Sequence, residues 1–452
     1  MADSLRDPHL GIMTLFELHP SLRRGLNPHL DRAIWPLSTD IDERGRLCVG
    51  GVPTTEIAAE FGTPTHLVDE EDFRARIRGY HAALPDAELA YAGMALLSTA
   101  VAGWAAAEGA GVAVCSGGEL ATALAGGVPA SRIVLHGNAK TAGELHDAAG
   151  VGRVVIDSPS EIALLAARLR RRQRVLVRVI PDTGAEGSDG KFGFALAGGQ
   201  AAGAVKRVLD QPCLHLVGLH CQLGSQIADP GLYGEAIQQL VALMAEIRER
   251  HQIALTELNL GGGHAVPYRS GDPQVDLPIL AASMDDALRS ACAQYGYPRP
   301  QIVIEPGRAV AARAGVTLYR VIAVKRQPDG RSFVAVDGAA PHGAKYTVAL
   351  ANRHRLSRTA PVTVVGRHGE ASDEIAHDVE LPDDIRPGEL LAVAGTGAYH
   401  HSIGSSCHME GRPPLVSVAD GKCQELVRRE TVADLLARDR GWTGQPITSA
   451  AS

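Results

Sequence analysis

The chain has 452 residues, 45% hydrophobic and 21% charged, with a net charge of −7 and a pI near 6.2. This balance suits two or three packed domains and excludes global disorder, and the acidic surplus excludes the basic footprint of a nucleic-acid binder. No run approaches the roughly 18 uncharged apolar residues of a membrane span, and the first 30 residues carry charges without a long apolar stretch, so a cytoplasmic protein with no signal peptide is expected. The seven cysteines (48, 115, 213, 221, 292, 407 and 423) are scattered without a C-x-x-C pair, which suits a reducing compartment. Lysine is scarce: six positions (140, 191, 206, 325, 345 and 422) against 38 arginines.

In chain order, residues 1–61 contain strand-like pieces and are expected to join a β domain. From about residue 86, short β-rich runs alternate with helix-length segments. The runs are Glu88–Gly93, Val112–Cys115, Ile133–His136, Val154–Asp157, Arg174–Ile180, Leu216–Cys221, Glu257–Leu260 and Ile302–Glu305. Between them lie helical stretches such as Thr99–Glu108, Ser160–Arg171 and Leu232–Arg250. Eight buried strands alternating with helices predict an α/β fold, a (β/α)8 TIM barrel over 62–310. After Arg308 the pattern turns to short β segments, Val316–Val324, Ser332–Val336, Pro361–Val365 and Glu389–Val393, predicting a mainly β domain over 311–430. Residues 431–452 read as a C-terminal helix and tail.

Barrel chemistry collects at the C-terminal strand ends. The sixth run is followed by Gln222-Leu223-Gly224-Ser225, the seventh by Gly261-Gly262-Gly263, and the eighth, which ends in Glu305, by Pro306-Gly307-Arg308. Glycines let backbone N–H groups approach an anion closely, and Ser225 and Arg308 add donors, so a phosphate site is expected there.

Several stretches carry a family resemblance over roughly residues 60–420. They are Ser116-Gly117-Gly118-Glu119-Leu120, Gly137-Asn138-Ala139-Lys140, Lys191-Phe192-Gly193-Phe194, Gly218 to Gln226, Gly261-Gly262-Gly263, Glu305-Pro306-Gly307-Arg308 and Gly397-Ala398-Tyr399. In this order they resemble the fold-type III pyridoxal-phosphate decarboxylases, most closely diaminopimelate decarboxylase. The resemblance implies an alanine-racemase-like barrel plus a β domain, a homodimer with shared sites, a carboxy-lyase activity and a small amino-acid-like substrate. It implies that Ser225, Gly261, Gly262, Gly263 and Arg308 hold the cofactor phosphate, with Tyr399 nearby, and that Glu305 faces the pyridine nitrogen.

The departures lie in the site. The family's first strand ends Tyr-Ala-x-Lys-Ala-Asn, whose lysine forms the Schiff base; here the stretch is Tyr91-Ala92-Gly93-Met94-Ala95-Leu96. A thioether has no amine to form that bond. The histidine that packs on the cofactor ring is Gln222. The partner-donated Cys-Glu-Ser-x-Asp stretch is Gly369-Glu370-Ala371-Ser372-Asp373, and a Tyr-Asn pair near the cofactor is Cys407-His408. Asp337-Gly338-Ala339-Ala340-Pro341-His342 replaces Asp-Gly-Gly-Met-Asn-Asp. Met94, Gln222 and Cys407 are expected to line one cavity, with Glu370 contributing across a dimer. Lys140 and Lys345 are candidate substitutes for the missing amine.

Three readings follow. The first is an enzyme of specialised metabolism that binds pyridoxal phosphate, or another phosphate ligand, non-covalently. The second is a metal- or haem-dependent enzyme, with His400, His401, Cys407 and His408 as ligands beside Met94. The third is a non-catalytic relative that regulates a partner.

Overall fold

The computed structural model describes residues 30–169, 171–184, 191–339, 346–353, 358–370 and 373–444. The chain opens with three short antiparallel strands, β1 (Asp40–Ile41), β2 (Leu47–Val49) and β3 (Val52–Pro53), followed by β4 (Thr65–Asp69). The barrel strands come next: β5 (Glu88–Ala92), β6 (Gly111–Val114), β7 (Ile133–Leu135), β8 (Arg153–Ile156) and β9 (Gln173–Ile180). After a two-residue strand, β10 (Phe194–Ala195), follow β11 (Leu214–His220), β12 (Glu257–Asn259) and β13 (Gln301–Ile304). The eight barrel strands pair in parallel in the order β9-β11-β12-β13-β5-β6-β7-β8, and β8 pairs back onto β9. The ring is therefore a closed (β/α)8 barrel. Ser98, Ser116 and Ser158, just beyond strand ends, each accept a backbone N–H three residues on. These caps satisfy an otherwise orphaned donor and start the helices Thr99–Ala107, Gly117–Ala125 and Pro159–Arg168.

Side chains alternate across each strand, so the barrel interior is built in layers. Ala90, Ala113, Val134, Val155, Leu176 and Val217 form an apolar middle layer. Toward the N-terminal end sits a charged plug. Arg153 donates to both oxygens of Glu88 at 2.7 and 2.6 Å, and Arg153 and Arg174 both donate to Glu257. Burial alone would lower the Arg153 pKa, but the two carboxylates hold it well above its ordinary value. Two residues above the middle layer, Ala92, Cys115, His136 and Arg178 face an open cavity.

The second domain contains β14 (Gly315–Arg326), β15 (Ser332–Val336), β16 (Val348–Leu350), β17 (Thr359–Val365), β18 (Glu374–Pro382), β19 (Leu390–Ala394), β20 (Leu415–Ala419) and β21 (Lys422–Val427). Its main path runs β18-β17-β15-β14-β4-β20-β21, with β19 on β14 and β16 on β19. β4 falls inside the 62–310 span assigned to the barrel, yet it is antiparallel to β14 and parallel to β20. The ring closes without β4, with only the two-residue β10 added beside β9, and β4 lies between β14 and β20 in the second sheet. Ile34, Trp35, Leu47, Val49 and Ile57 from the N-terminal segment pack with Leu67, Val316, Leu318 and Val418 in one buried cluster. Each such fully buried aliphatic side chain contributes roughly 1.5–3 kcal/mol. Beyond β21, Thr431 makes a capping box with Asp434 and starts the short helix Val432–Leu436. No described helix is long and apolar enough to cross a membrane.

Candidate active site

The cavity at the C-terminal mouth of the barrel has a volume of about 630 Å³, in the range of small-molecule sites. Of the residues expected there, Met94, Gln222, Ser225, Gly262, Gly263, Glu305, Arg308 and Tyr399 line it. They come from the loops after β5, β11, β12 and β13, and Tyr399 from the segment after β19.

Glu305 is 6% exposed and lies at the centre of a polar network. Its Oε1 accepts from His136 Nε2 at 2.9 Å and from Asn259 Nδ2 at 2.7 Å, while His220 Nε2 lies 3.5 Å from Oε2. Burial on its own would raise the Glu305 carboxyl, but His136 and His220 hold it well below the usual carboxylate range. The same burial pushes His220 down to about 4, with Glu305 opposing. An ionised carboxylate held in place is the group that would keep a pyridine nitrogen protonated. His136, His220 and Glu305 also bring ligand atoms within 4.8 Å of one another.

The glycine loop is tightly fixed. Gly261 has φ +65, donates its N–H to Asn259 Oδ1 at 2.9 Å, and accepts from Glu305 N at 2.7 Å. It supports the loop from beneath and is not part of the cavity wall. A Cβ on Gly262 would collide with the Glu305 carbonyl oxygen, and one on Gly263, at φ +93, with that of Gly224. Gln222 straps the two loops together: its Nε2 donates to Gly224 O at 2.6 Å and its Oε1 accepts from Gly262 N at 3.1 Å. Arg308 sits 4.6 Å over the Tyr399 ring and donates to the Tyr268 hydroxyl. Exposed Ser225, the glycine backbone and the Arg308 guanidinium thus give one side of the cavity an anion-binding character, and Glu305 gives another side a carboxylate. Both match the needs of a phosphate-bearing pyridine, so the donor set fits pyridoxal phosphate.

Met94 is half-buried in the short turn Gly93–Ala95 and faces the cavity. No lysine among the described residues lines it. Lys140 does not serve as a substitute: its Nζ donates to Gly137 O at 2.7 Å, Val155 O at 2.6 Å and Glu161 Oε2 at 3.0 Å, which uses all three donors. Lys345, Ala371, Ser372, Pro341 and His342 lie outside the described residues.

Other expectations fail within the single chain. Cys407 is exposed and is absent from the cavity wall, so Met94, Gln222 and Cys407 do not share one cavity. Cys407 opens a short turn, Cys407–Met409, in which His408 and Met409 have φ of 53 and 58. The four proposed metal ligands separate into two places. His400 and His401 pack around His66, with ring centroids 6.4 and 6.0 Å from it, and burial pushes His401 down to about 4. Cys407 and His408 instead join exposed Glu370. The sequence reading missed His136, His220, Asn259, Arg178 and Phe192. Arg178 bonds Asp157 at 2.9 Å and lies 4.6 Å from the Phe192 ring, which forms part of the wall. The signal was the last inward residue of each strand, not only the loop after it.

Residues 70–312 match the family described as pyridoxal-dependent decarboxylase, pyridoxal binding domain. The chain belongs to this family. The match begins directly after β4, where the chain leaves the second sheet. The diaminopimelate decarboxylase of Actinosynnema pretiosum subsp. auranticum is 51% identical over 446 residues, covering 94% of this chain and 100% of that protein. That of Mycobacterium tuberculosis is 40% identical over 440 residues, covering 90% and 98%. The crystal structure of diaminopimelate decarboxylase from M. jannaschii superposes with a TM-score of 0.83 at 28% identity, over 89% of this chain and 98% of the other. The barrel, the β domain and the cavity are therefore those of a carboxy-lyase family.

Proposed function

We propose that the chain is a divergent diaminopimelate-decarboxylase-like enzyme that acts on an amino-acid-type substrate in specialised metabolism. It binds pyridoxal phosphate, or another phosphate-bearing ligand, without covalent attachment. The observation that carries this reading is one cavity wall holding Met94 beside Glu305, Gly262, Gly263 and Arg308, with no described lysine among them. By the resemblance, Met94 takes the position of the family's Schiff-base lysine. When bound, the cofactor supplies an electron sink for charge developing next to an amino-acid nitrogen. Glu305, held ionised by its histidines, keeps the ring-nitrogen side charged. Ser225, the Gly263 backbone and Arg308 hold the phosphate, and Tyr399 stacks on the Arg308 guanidinium and fixes its direction. Met94 lets the ligand enter and leave intact, because a thioether neither bonds to a carbonyl carbon nor returns a proton.

The chain works as a homodimer in this reading, since the segment carrying Glu370 is the one that family members insert into the partner's site; light scattering at working concentration tests it. Titration with pyridoxal phosphate, borohydride treatment and intact mass measurement test the cofactor reading. Expected are saturable binding, loss of the cofactor on gel filtration and an unchanged protein mass. A borohydride-fixed adduct on the wild-type chain overturns non-covalent binding, and absence of any binding favours a regulatory relative. Carbon dioxide release from diaminopimelate at ordinary decarboxylase rates contradicts the altered chemistry. A metal in the cavity is the second reading, favoured by the spacing of His136, His220 and Glu305; metal analysis of untreated protein decides it.

A further inference from the structure

We propose that Gln222 is a positioning residue for the phosphate of the bound ligand, and that it makes the cavity selective for phosphorylated over unphosphorylated rings. The proposal rests on the cofactor reading above and names the residue that sets the ligand's class. Gln222 follows β11, at the position where, by the resemblance, the family places a histidine that packs on the cofactor ring. Its carboxamide lies against the glycine loop instead. A Cβ on Gly261 would collide with Gln222 Oε1, and one on Gly263 would crowd Gln222 Nε2. Those glycines therefore make room for the carboxamide as well as for a ligand. With its carboxamide committed to the loops, Gln222 offers no contact to a ring face, and recognition falls to the two ends of the ligand.

The two bonds of Gln222 fix which backbone groups remain for the phosphate. Nε2 donates to Gly224 O and Oε1 accepts from Gly262 N, at 2.6 and 3.1 Å. Only this orientation of the amide serves both loops; turned over, it sets donor against donor and acceptor against acceptor. In a trans peptide the C=O and the next N–H point in opposite directions. The Gly224 carbonyl is drawn to Gln222, which turns the Ser225 N–H the other way. The Gly262 carbonyl accepts the Tyr233 hydroxyl at 2.8 Å, from the helix Gly231–His251 outside the barrel, which turns the Gly263 N–H inward. Ser225 and Gly263 both line the cavity, and among the described residues no acceptor meets either N–H. The Gly262 N–H is already taken by Gln222. The cradle is therefore the N–H groups of Ser225 and Gly263 beside Arg308, on two loops whose separation Gln222 holds.

The test uses the full chain and compares pyridoxal phosphate, pyridoxal and inorganic phosphate by equilibrium titration. Wild type is expected to prefer pyridoxal phosphate over pyridoxal by at least about a hundredfold. Gln222→Ala removes both bonds; it weakens pyridoxal phosphate and inorganic phosphate by about tenfold and leaves pyridoxal within about twofold. Gln222→Glu keeps the shape and the acceptor for Gly262, loses the donor to Gly224, and sets a negative charge beside the phosphate. It weakens both phosphate ligands more than Gln222→Ala does, again without moving pyridoxal. A loss shared equally by pyridoxal and pyridoxal phosphate in the folded variants overturns the proposal, because it assigns Gln222 to the fold or to the ring. Unchanged pyridoxal phosphate affinity in both variants overturns it as well. A wild type that takes up inorganic phosphate but refuses pyridoxal phosphate, and loses that uptake in Gln222→Ala, contradicts the cofactor reading and supports the cradle. A wild type that binds neither overturns both.

Discussion

The two ends of the barrel bury charge in opposite ways. At the N-terminal end, Arg153 is closed between Glu88 and Glu257, with Arg174 outside, and the ionic groups fill the space themselves. At the C-terminal end, Glu305 is held by His136, Asn259 and His220 beside a cavity of about 630 Å³. His264, in the wall of that cavity, has no hydrogen-bond partner for its Nε2 among the described residues. The middle layer of Ala90, Ala113, Val134, Val155, Leu176 and Val217 separates the two ends. The lower end is finished by its own pairing, and the upper end keeps polar groups in readiness for a ligand. The lower end is a stability device and the upper end a binding device.

Breaking the lower end has the largest expected effect. Arg153→Met leaves Glu257 and Glu88 without their shared cation, and unfolding by urea shows a loss of about 3–5 kcal/mol. The upper end responds to acid instead. Burial pushes His220 and His264 down to about 4, so between about pH 6.5 and 4 the unfolded chain takes up protons that the folded chain refuses. Stability therefore falls as pH drops through that window. By pH 5 the loss is about 2 kcal/mol for each histidine, and His264→Gln removes its share of the slope in melts from pH 7 to 5. Glu305 stays ionised across this window, because its carboxyl is held well below the usual range.

Gly262→Ala forces a methyl group against the Glu305 carbonyl. It costs about 1–3 kcal/mol in thermal unfolding and weakens pyridoxal phosphate binding, read by absorbance titration. The smallest stability effect comes from Glu305→Gln, which keeps the shape and an acceptor for His136 and Asn259. Stability changes by less than about 1 kcal/mol, while pyridoxal phosphate affinity falls about tenfold. A large stability loss in Glu305→Gln would erase the difference between the two ends.

The barrel was legible because its strands are short buried runs that alternate with helix-length segments. The glycine loop after the seventh strand and Arg308 after the eighth were legible for the same reason, since strand order places both at one mouth. β4 was not legible: Thr65–Asp69 stood inside the 62–310 span without being read as a strand, and its partners β14 and β20 lie far along the chain. His136 and His220 were counted as strand residues, and their approach to Glu305 arises only when the ring closes. Lys140 looked available beside a strand end until Glu161, from the next βα unit, took its charge. Cys407 follows Tyr399 closely in sequence, but in the single chain only Tyr399 lines the cavity.

The central claim is that the upper cavity binds pyridoxal phosphate and that Met94 stands where an amine would fix it, and Met94→Lys tests it most directly. With pyridoxal phosphate and borohydride, the account predicts that this variant gains one covalently fixed pyridoxyl group, mapped by peptide mass to position 94, while wild type gains none. An adduct on wild type, or none on a folded Met94→Lys variant, would contradict it.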